Sequence, residues 1–261
     1  MKSAHFVEAA TACLSNGERL IEDARWLPED RPATTFALAM IAQEEFAKAF
    51  LLFLVSRDVL TWNSLIFRAT RDHTSKQLLG HVMDYLNPAW TDFENRLKEW
   101  NARHEAWENL LAEYRNAVEK TEKHRIWNQI EELNKSHRDL PDSVADAINI
   151  LRYEKIGRWE SSNWFWDEEP DYNLEAKGLA DGKLDLEKQD ALYVRIGRKG
   201  GLSRTPNEVK ADDATTALEI AKRLGDLVEG LLSGNNVNSI EYEKIESVFR
   251  ALFASLAPEK P

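Results

Sequence analysis

Pro32-Ala-Thr-Thr-Phe-Ala-Leu-Ala-Met-Ile-Ala-Gln-Glu-Glu-Phe-Ala-Lys-Ala-Phe-Leu-Leu-Phe-Leu-Val-Ser56 is apolar around most of a helical circumference. Ala37, Met40, Ile41, Ala47, Leu51, Leu52 and Leu54 leave no broad polar face. A helix of this kind belongs at the centre of a bundle, with other helices on several sides. Its polar residues, Gln43, Glu44, Glu45 and Lys48, are then costly unless each finds a partner. Glu44 and Lys48 stand four residues apart in the favourable order, which predicts an ion pair along the helix.

Toward the N-terminus, Phe6, Ala10, Cys13, Gly17, Leu20, Ala24 and Leu27 recur at spacings of three and four. They predict an amphipathic helix from Ser3 to about Leu27, stopped by the turn between Pro28 and Pro32. Cys13 is expected as a small buried filler on that stripe.

Toward the C-terminus the chain reads Phe67-Arg-Ala-Thr-Arg-Asp-His-Thr-Ser-Lys76. A short helix is expected over Leu60 to Arg71 and another over Ser75 to Tyr85, with Asp72 or Thr74 as the cap between them. On one continuous helix, Arg68 and His73 would point ~140° apart, so a break near Asp72 is needed for them to act together. Histidine can take a proton from a 2′-hydroxyl near neutral pH, and arginine can grip a phosphate while charge builds on it. A start of a helix at His73 favours bound phosphate and a neutral imidazole. The plain alternative for the pair is a solvated surface.

Residues 88–185 differ in composition from what precedes them. Phe93, Leu97, Trp100, His104, Trp107, Leu111, Tyr114 and Val118 alternate spacings of four and three, a heptad seam that Ile126, Ile130 and Leu133 extend or fold back upon. A helical hairpin or a dimer arm is expected, with His104 a tolerated seam residue. Ser161 to Leu184, with Trp164, Phe165 and Trp166, reads as an irregular loop packed by its own aromatics. Ala191-Leu-Tyr-Val-Arg-Ile196 is the one β-type run, and the Gly-rich turn Gly197–Gly201 follows it; an extended crossing or half of a small hairpin is expected. Helices over Asp213–Ser233 and Asn238–Leu256 close the chain, with Asn238 and Glu241 as a capping pair. The expected parts are 1–87, the first part of a bundle; 88–185, an insertion; and 186–261, the closing elements.

An apolar content of 43% supports a core, and 11 Gly with 8 Pro favours helices over a turn-rich β fold. The single cysteine excludes an internal disulfide framework and a cysteine-rich zinc site. No apolar run is long enough to span a bilayer, and no basic region leads into an uninterrupted apolar run at the N-terminus; a soluble cytoplasmic protein without a membrane partner is expected. The net charge of −11 argues against a general nucleic-acid coat, so DNA is not an expected partner. An RNA-cleaving enzyme needs only local positive charge, which occurs at Arg68, Arg71 and Lys76, and again at Arg195, Arg198, Lys199 and Arg204. No histidine follows a glutamate by three residues and no His-x3-His pair exists, so no metal site is expected. A nucleophile elbow, a Walker loop and a dinucleotide fingerprint are all absent from the sequence, and no cofactor is expected.

Three stretches together resemble the AbiV family of bacterial abortive-infection proteins. They are Ala39 to Lys48, with its Glu-Glu-x-x-Lys helix; His73 to Lys76, a His-x-x-Lys step; and Lys188-Gln-Asp-Ala-Leu-Tyr-Val194, a Leu-Tyr-Val strand before the closing helices. The Arg-x4-His spacing is also the signature of HEPN domains, a helical superfamily rich in RNases of phage defence. The resemblance covers about 1–87 and 186–235. It implies a HEPN-like helical bundle; with the heptad seam and the β-type run, the expected fold is all-α, that bundle carrying a long coiled-coil-like helical insertion without family support and one small extended element. It implies a homodimer whose motifs meet in a cleft and cut RNA without metal. His73 would deprotonate or orient the 2′-hydroxyl, and Arg68 would stabilise the pentavalent phosphate. Lys76, Lys48 and Arg71 would support phosphate binding, and Glu44 would orient Arg68 or His73. The products would be a 2′,3′-cyclic phosphate and a 5′-hydroxyl. An alternative is a non-catalytic interaction module that senses a phage protein or binds a partner; a helical regulator that binds a nucleotide is another. Glu44 and Lys48 would then be only an internal ion pair that fixes helix packing.

Overall fold

The computed structural model describes residues 2–86, 102, 105–135, 141–156, 172–234, 245–246 and 249–250. The chain forms two compact units, one of residues 1–88 with 143–261 and one of residues 89–142.

In the larger unit α1 (Lys2–Arg25) and α2 (Pro32–Ser56) pack along their lengths, and α10 (Ala211–Ser233) lies against both. α2 also touches α4 (His73–Leu86) and α9 (Lys183–Leu192), which makes it the central helix, as its apolar circumference requires. Phe46 of α2 is fully buried between two glycines. A Cβ on Gly17 of α1 would lie 2.4 Å from the Phe46 ring, and one on Gly225 of α10 would lie 3.0 Å from it. Only glycine lets both helices close onto that ring. The fork of Arg223 on Asp84, at 2.7 and 3.1 Å, ties α10 to α4. The Gln43 amide donates to the Ala217 carbonyl at 2.8 Å and so ties α2 to α10.

Between α2 and α4 lies the short α3 (Ser64–Ala69). The Asn63 side chain caps it by accepting from the Leu65 and Ile66 N–H groups. Asp72 then caps α4, accepting from the Ser75 N–H at 3.0 Å and from the Thr74 hydroxyl at 2.8 Å. The helix break falls at Asp72, where the Arg68–His73 spacing calls for it.

The second unit holds a helical hairpin. A helix over 105–116 (α5) folds back on α6 (Lys120–Lys135). Leu111, Ile126 and Ile130 form its core, with Trp107, Leu110, Tyr114 and Trp127 packed around them. The predicted seam therefore closes within one chain over this stretch. It does not reach Val118, which is 94% exposed, because the chain reverses direction there. Phe93, Leu97, Trp100 and His104 lie outside the described residues.

This unit ends at Asp142, and the described residues from Ser143 onward belong to the larger unit. α7 (Asp142–Ile150) leads into a π-helical turn (Leu151–Ile156) that rests on α3 and α4, and α8 (Leu174–Ala180) lies against α4. α8 also corrects the expectation of an irregular segment up to Leu184. Asn173 caps it through the Glu175 N–H, and Ala176 and Leu179 face inward. Trp164, Phe165 and Trp166 lie outside the described residues.

α9 ends at Leu192 and so takes Ala191 out of the expected strand. The extended element is a small antiparallel hairpin of β1 (Arg195–Ile196) and β2 (Leu202–Arg204), turned through Gly197–Gly201. Gly200 there has φ +80°, a left-handed conformation open to glycine at little cost. Buried Asp190 of α9 holds the hairpin through ion pairs with Arg195 and, at 3.3 Å, Arg204. α10 ends at Gly234, which has φ +69°. The Asn238–Glu241 pair lies outside the described residues.

Candidate functional site

Glu44 is 3% exposed in the middle of α2, and its carboxylate is the focus of the site. α4 brings it three donors: His73 Nδ1 at 2.6 Å and Lys76 Nζ at 2.9 Å on Oε2, and Gln77 Nε2 at 3.3 Å on Oε1. α9 brings Lys188, whose ammonium donates to Oε1 at 2.6 Å and lies 2.8 Å from Asp185 Oδ1. Two carboxylates and two ammonium groups balance, so a neutral imidazole leaves the cluster neutral. Burial pushes the Glu44 carboxyl up, but hydrogen bonds and charge from Lys188 and Lys76 outweigh it and hold the group below its ordinary value. Burial pushes Lys188 down, and Asp185 and Glu44 overcome this to raise it. Burial also opposes ionisation of Asp185, yet Lys188 and then His73 pull its carboxyl below the ordinary value.

His73 is the first residue of α4, and its side chain is 51% exposed. Its Nδ1 lies 2.6 Å from Glu44 Oε2 but 3.2 Å from Lys188 Nζ. An ammonium can only donate and a carboxylate can only accept. The shorter contact with the carboxylate assigns the Nδ1 proton to the Glu44 bond, so in a neutral ring Nε2 carries the lone pair. A buried carboxylate thus orients a half-exposed imidazole.

The sequence-predicted residues divide into three groups. Glu44, His73 and Lys76 converge. Glu44 serves His73, not Arg68. Lys76 is buried on Glu44, so its charge is spent inside the cluster and not on an outer phosphate. Lys48 pairs with Glu45 at 2.6 Å, not with Glu44. Successive residues of a helix diverge by about 100°, so Glu44 faces α4 and α9 while Glu45 and Lys48 face Cys13 of α1. Cys13 itself is only partly buried; that burial, then the nearby Glu45, raise its thiol pKa, with Lys48 opposing them.

Arg68 and Arg71 form the third group. Both are exposed and line an open depression of about 350 Å³ with Phe67 and Asp72. Arg71 lies over the Phe67 ring at 5.6 Å. Among the described residues no hydrogen bond or ion pair engages the Arg68 guanidinium, and none joins it to His73.

Asp185 and Lys188 complete the cluster but were not among the predicted site residues. Lys188 opens the Lys188–Val194 stretch, and Asp185 stands three residues before it, a helical pairing distance. Glu44, His73 and Asp185 each offer a ligand atom within 4.8 Å of the others. The donor set does not suit a metal ion. Lys188 Nζ already lies within 3.2 Å of an atom on each of the three, and Lys76 adds a second ammonium at Glu44.

A model of the HEPN_AbiV family, described as AbiV, matches residues 5–226. The chain belongs to the AbiV family. It is an abortive-infection protein of HEPN-like, all-α fold, with a single two-stranded sheet among its described residues. The AbiV match encloses the segment 88–185 that the three short stretches left uncovered. No curated protein and no solved structure matches the chain. No described helix is long and apolar enough to cross a membrane.

Proposed function

We propose that this AbiV protein is a metal-independent endoribonuclease that acts as a homodimer in phage-triggered abortive infection. One observation carries the reading: His73 is held through Nδ1 by a buried carboxylate, so that Nε2 is free to act as a base. Nε2 takes the proton of an RNA 2′-hydroxyl, and the 2′-oxygen attacks the adjacent phosphorus. The bond to the 5′-oxygen breaks, that oxygen takes a proton from water, and the hydroxide so formed takes the proton from Nε2. The products are a 2′,3′-cyclic phosphate and a 5′-hydroxyl. Arg68, which meets no carboxylate among the described residues, neutralises the charge that develops on the phosphate. Lys76 and Lys188 act through Glu44 as positioning residues.

A second reading is favoured by Tyr193, Val194, Ile196 and Leu202, which are all exposed around the hairpin. They suit an interaction module that docks a phage protein or another partner without cleaving RNA.

The two readings part in cells. Expression of the wild type is expected to degrade RNA and arrest growth, whereas His73→Ala does neither. Arrest by both proteins with intact RNA rejects the nuclease and favours the interaction module.

A further inference from the structure

Trp62, the residue before the Asn63 cap, and Phe67, on the first turn and a half of α3, stand in edge contact with ring centroids 6.1 Å apart. Phe6 of α1 packs on the other ring at 5.0 Å from Trp62. The spacing is that of a hydrophobic staple, in which residues on either side of a helix start clasp each other. A staple explains the contact but not its setting. Trp62 remains 40% exposed and Phe67 49%. Beside them are two cations, Arg68 without a carboxylate partner and Arg71 over the Phe67 ring. Phe67, Arg68 and Arg71 line the open depression of about 350 Å³, and Trp62 stands behind Phe67, outside its lining. Asp72 in the same wall is occupied with its own helix: Thr74, Ser75 and, at 4.0 Å, Lys155 surround its carboxylate.

We infer that Phe67, backed by Trp62 and flanked by Arg68 and Arg71, forms a stacking subsite for an unpaired base of the RNA whose 2′-hydroxyl His73 deprotonates. The inference rests on the nuclease reading for the nature of the ligand. Base faces stack on aromatic rings whatever their sequence, and guanidinium groups hold the adjoining phosphates. A net charge of −11 repels RNA over most of the surface, so binding must concentrate where cations are unpaired. An A-form duplex keeps its bases stacked and cannot offer one to the ring. The substrate is therefore single-stranded or looped RNA.

The test is fluorescence anisotropy of the full chain with a labelled 2′-O-methyl oligoribonucleotide of about 12 nucleotides, which lacks the nucleophilic hydroxyl and stays intact. Phe67→Leu keeps an apolar staple but removes the π face. It is expected to weaken single-strand binding about tenfold at an unchanged melting temperature, whereas Phe67→Tyr binds as the wild type does. A duplex of the same sequence should bind far more weakly than the single strand. Equal binding by Phe67→Leu and wild type, no binding by the wild type, or a duplex bound as tightly as the single strand overturns the subsite. Ring-dependent binding without cleavage of ordinary RNA keeps the subsite and rejects the nuclease. Cleavage with a KM unmoved by Phe67→Leu keeps the nuclease and rejects the subsite.

Discussion

The two sides of the Asp72 helix break are built on opposite electrostatic rules. On the α4 side, Glu44, Lys76, Lys188 and Asp185 satisfy one another, and only the His73 ring emerges. On the α3 side, Arg68 has no ion pair among the described residues and Phe67 is half exposed, in an open depression. A buried ion cluster is weak evidence for stability, because desolvation offsets its attraction. Its worth here is placement: four fixed donors on one carboxylate leave the imidazole one orientation. The open side has the complementary property, since the Arg68 charge and the exposed part of the Phe67 ring face solvent. One side holds an imidazole in place, and the other leaves cations and ring surface open.

The largest break of this contrast is Glu44→Ala, which leaves Lys76 buried without its counter-charge and Lys188 with Asp185 alone. A loss of about 3–5 kcal/mol is expected in urea unfolding. Acid does the same by titration. Glu44 and Asp185 lie below their ordinary values of 4.5 and 3.8. Their contribution is complete above those values and is lost as pH falls through the lower folded-state values. His81 of α4, partly buried, acts in the same direction: desolvation depresses it, against the nearby Glu175 and Asp84, so its unfavourable charging begins to cost stability below its ordinary 6.5. The melting temperature is therefore expected to fall from about pH 6.5 downward and more steeply below about 4.5. A melting temperature that rises on acidification contradicts the ionised cluster.

Asp72→Ala breaks the junction itself. Loss of the α4 cap is expected to cost about 1 kcal/mol and, because His73 is the next residue, to lower cleavage as well. Arg68→Ala is the smallest change in stability, within about 0.5 kcal/mol, because no internal partner is lost. Its signature is lost RNA cleavage in a protein that melts like the wild type. Substantial destabilisation would instead show that Arg68 supports the fold.

Much of this contrast is legible in the sequence, for local reasons. The apolar circumference of Pro32–Ser56, the stripe of α1 and the need for a break between Arg68 and His73 all follow from helical period and capping chemistry. The errors come from applying local rules to residues that answer distant ones. Glu44 and Lys48 satisfy the i,i+4 rule, yet Glu44 turns to Lys188, 144 residues away, and Lys48 to Glu45. No period or spacing signals a partner on another helix, which is why Asp185 and Lys188 emerge only in three dimensions. α8 is different, since Asn173 followed by Leu-Glu-Ala-Lys is a capped helix start that the aromatic run before it obscures. The exposure of Phe67 is likewise invisible in sequence, where it reads as one more apolar residue of a short helix.

The most direct measurement is cleavage of end-labelled single-stranded RNA by the purified protein in excess chelator, with the product ends identified. The wild type is expected to leave 2′,3′-cyclic phosphate and 5′-hydroxyl ends, and a folded His73→Ala to leave none. Cleavage that persists in His73→Ala, that stops with chelator, or that leaves 5′-phosphate ends would contradict the proposed mechanism.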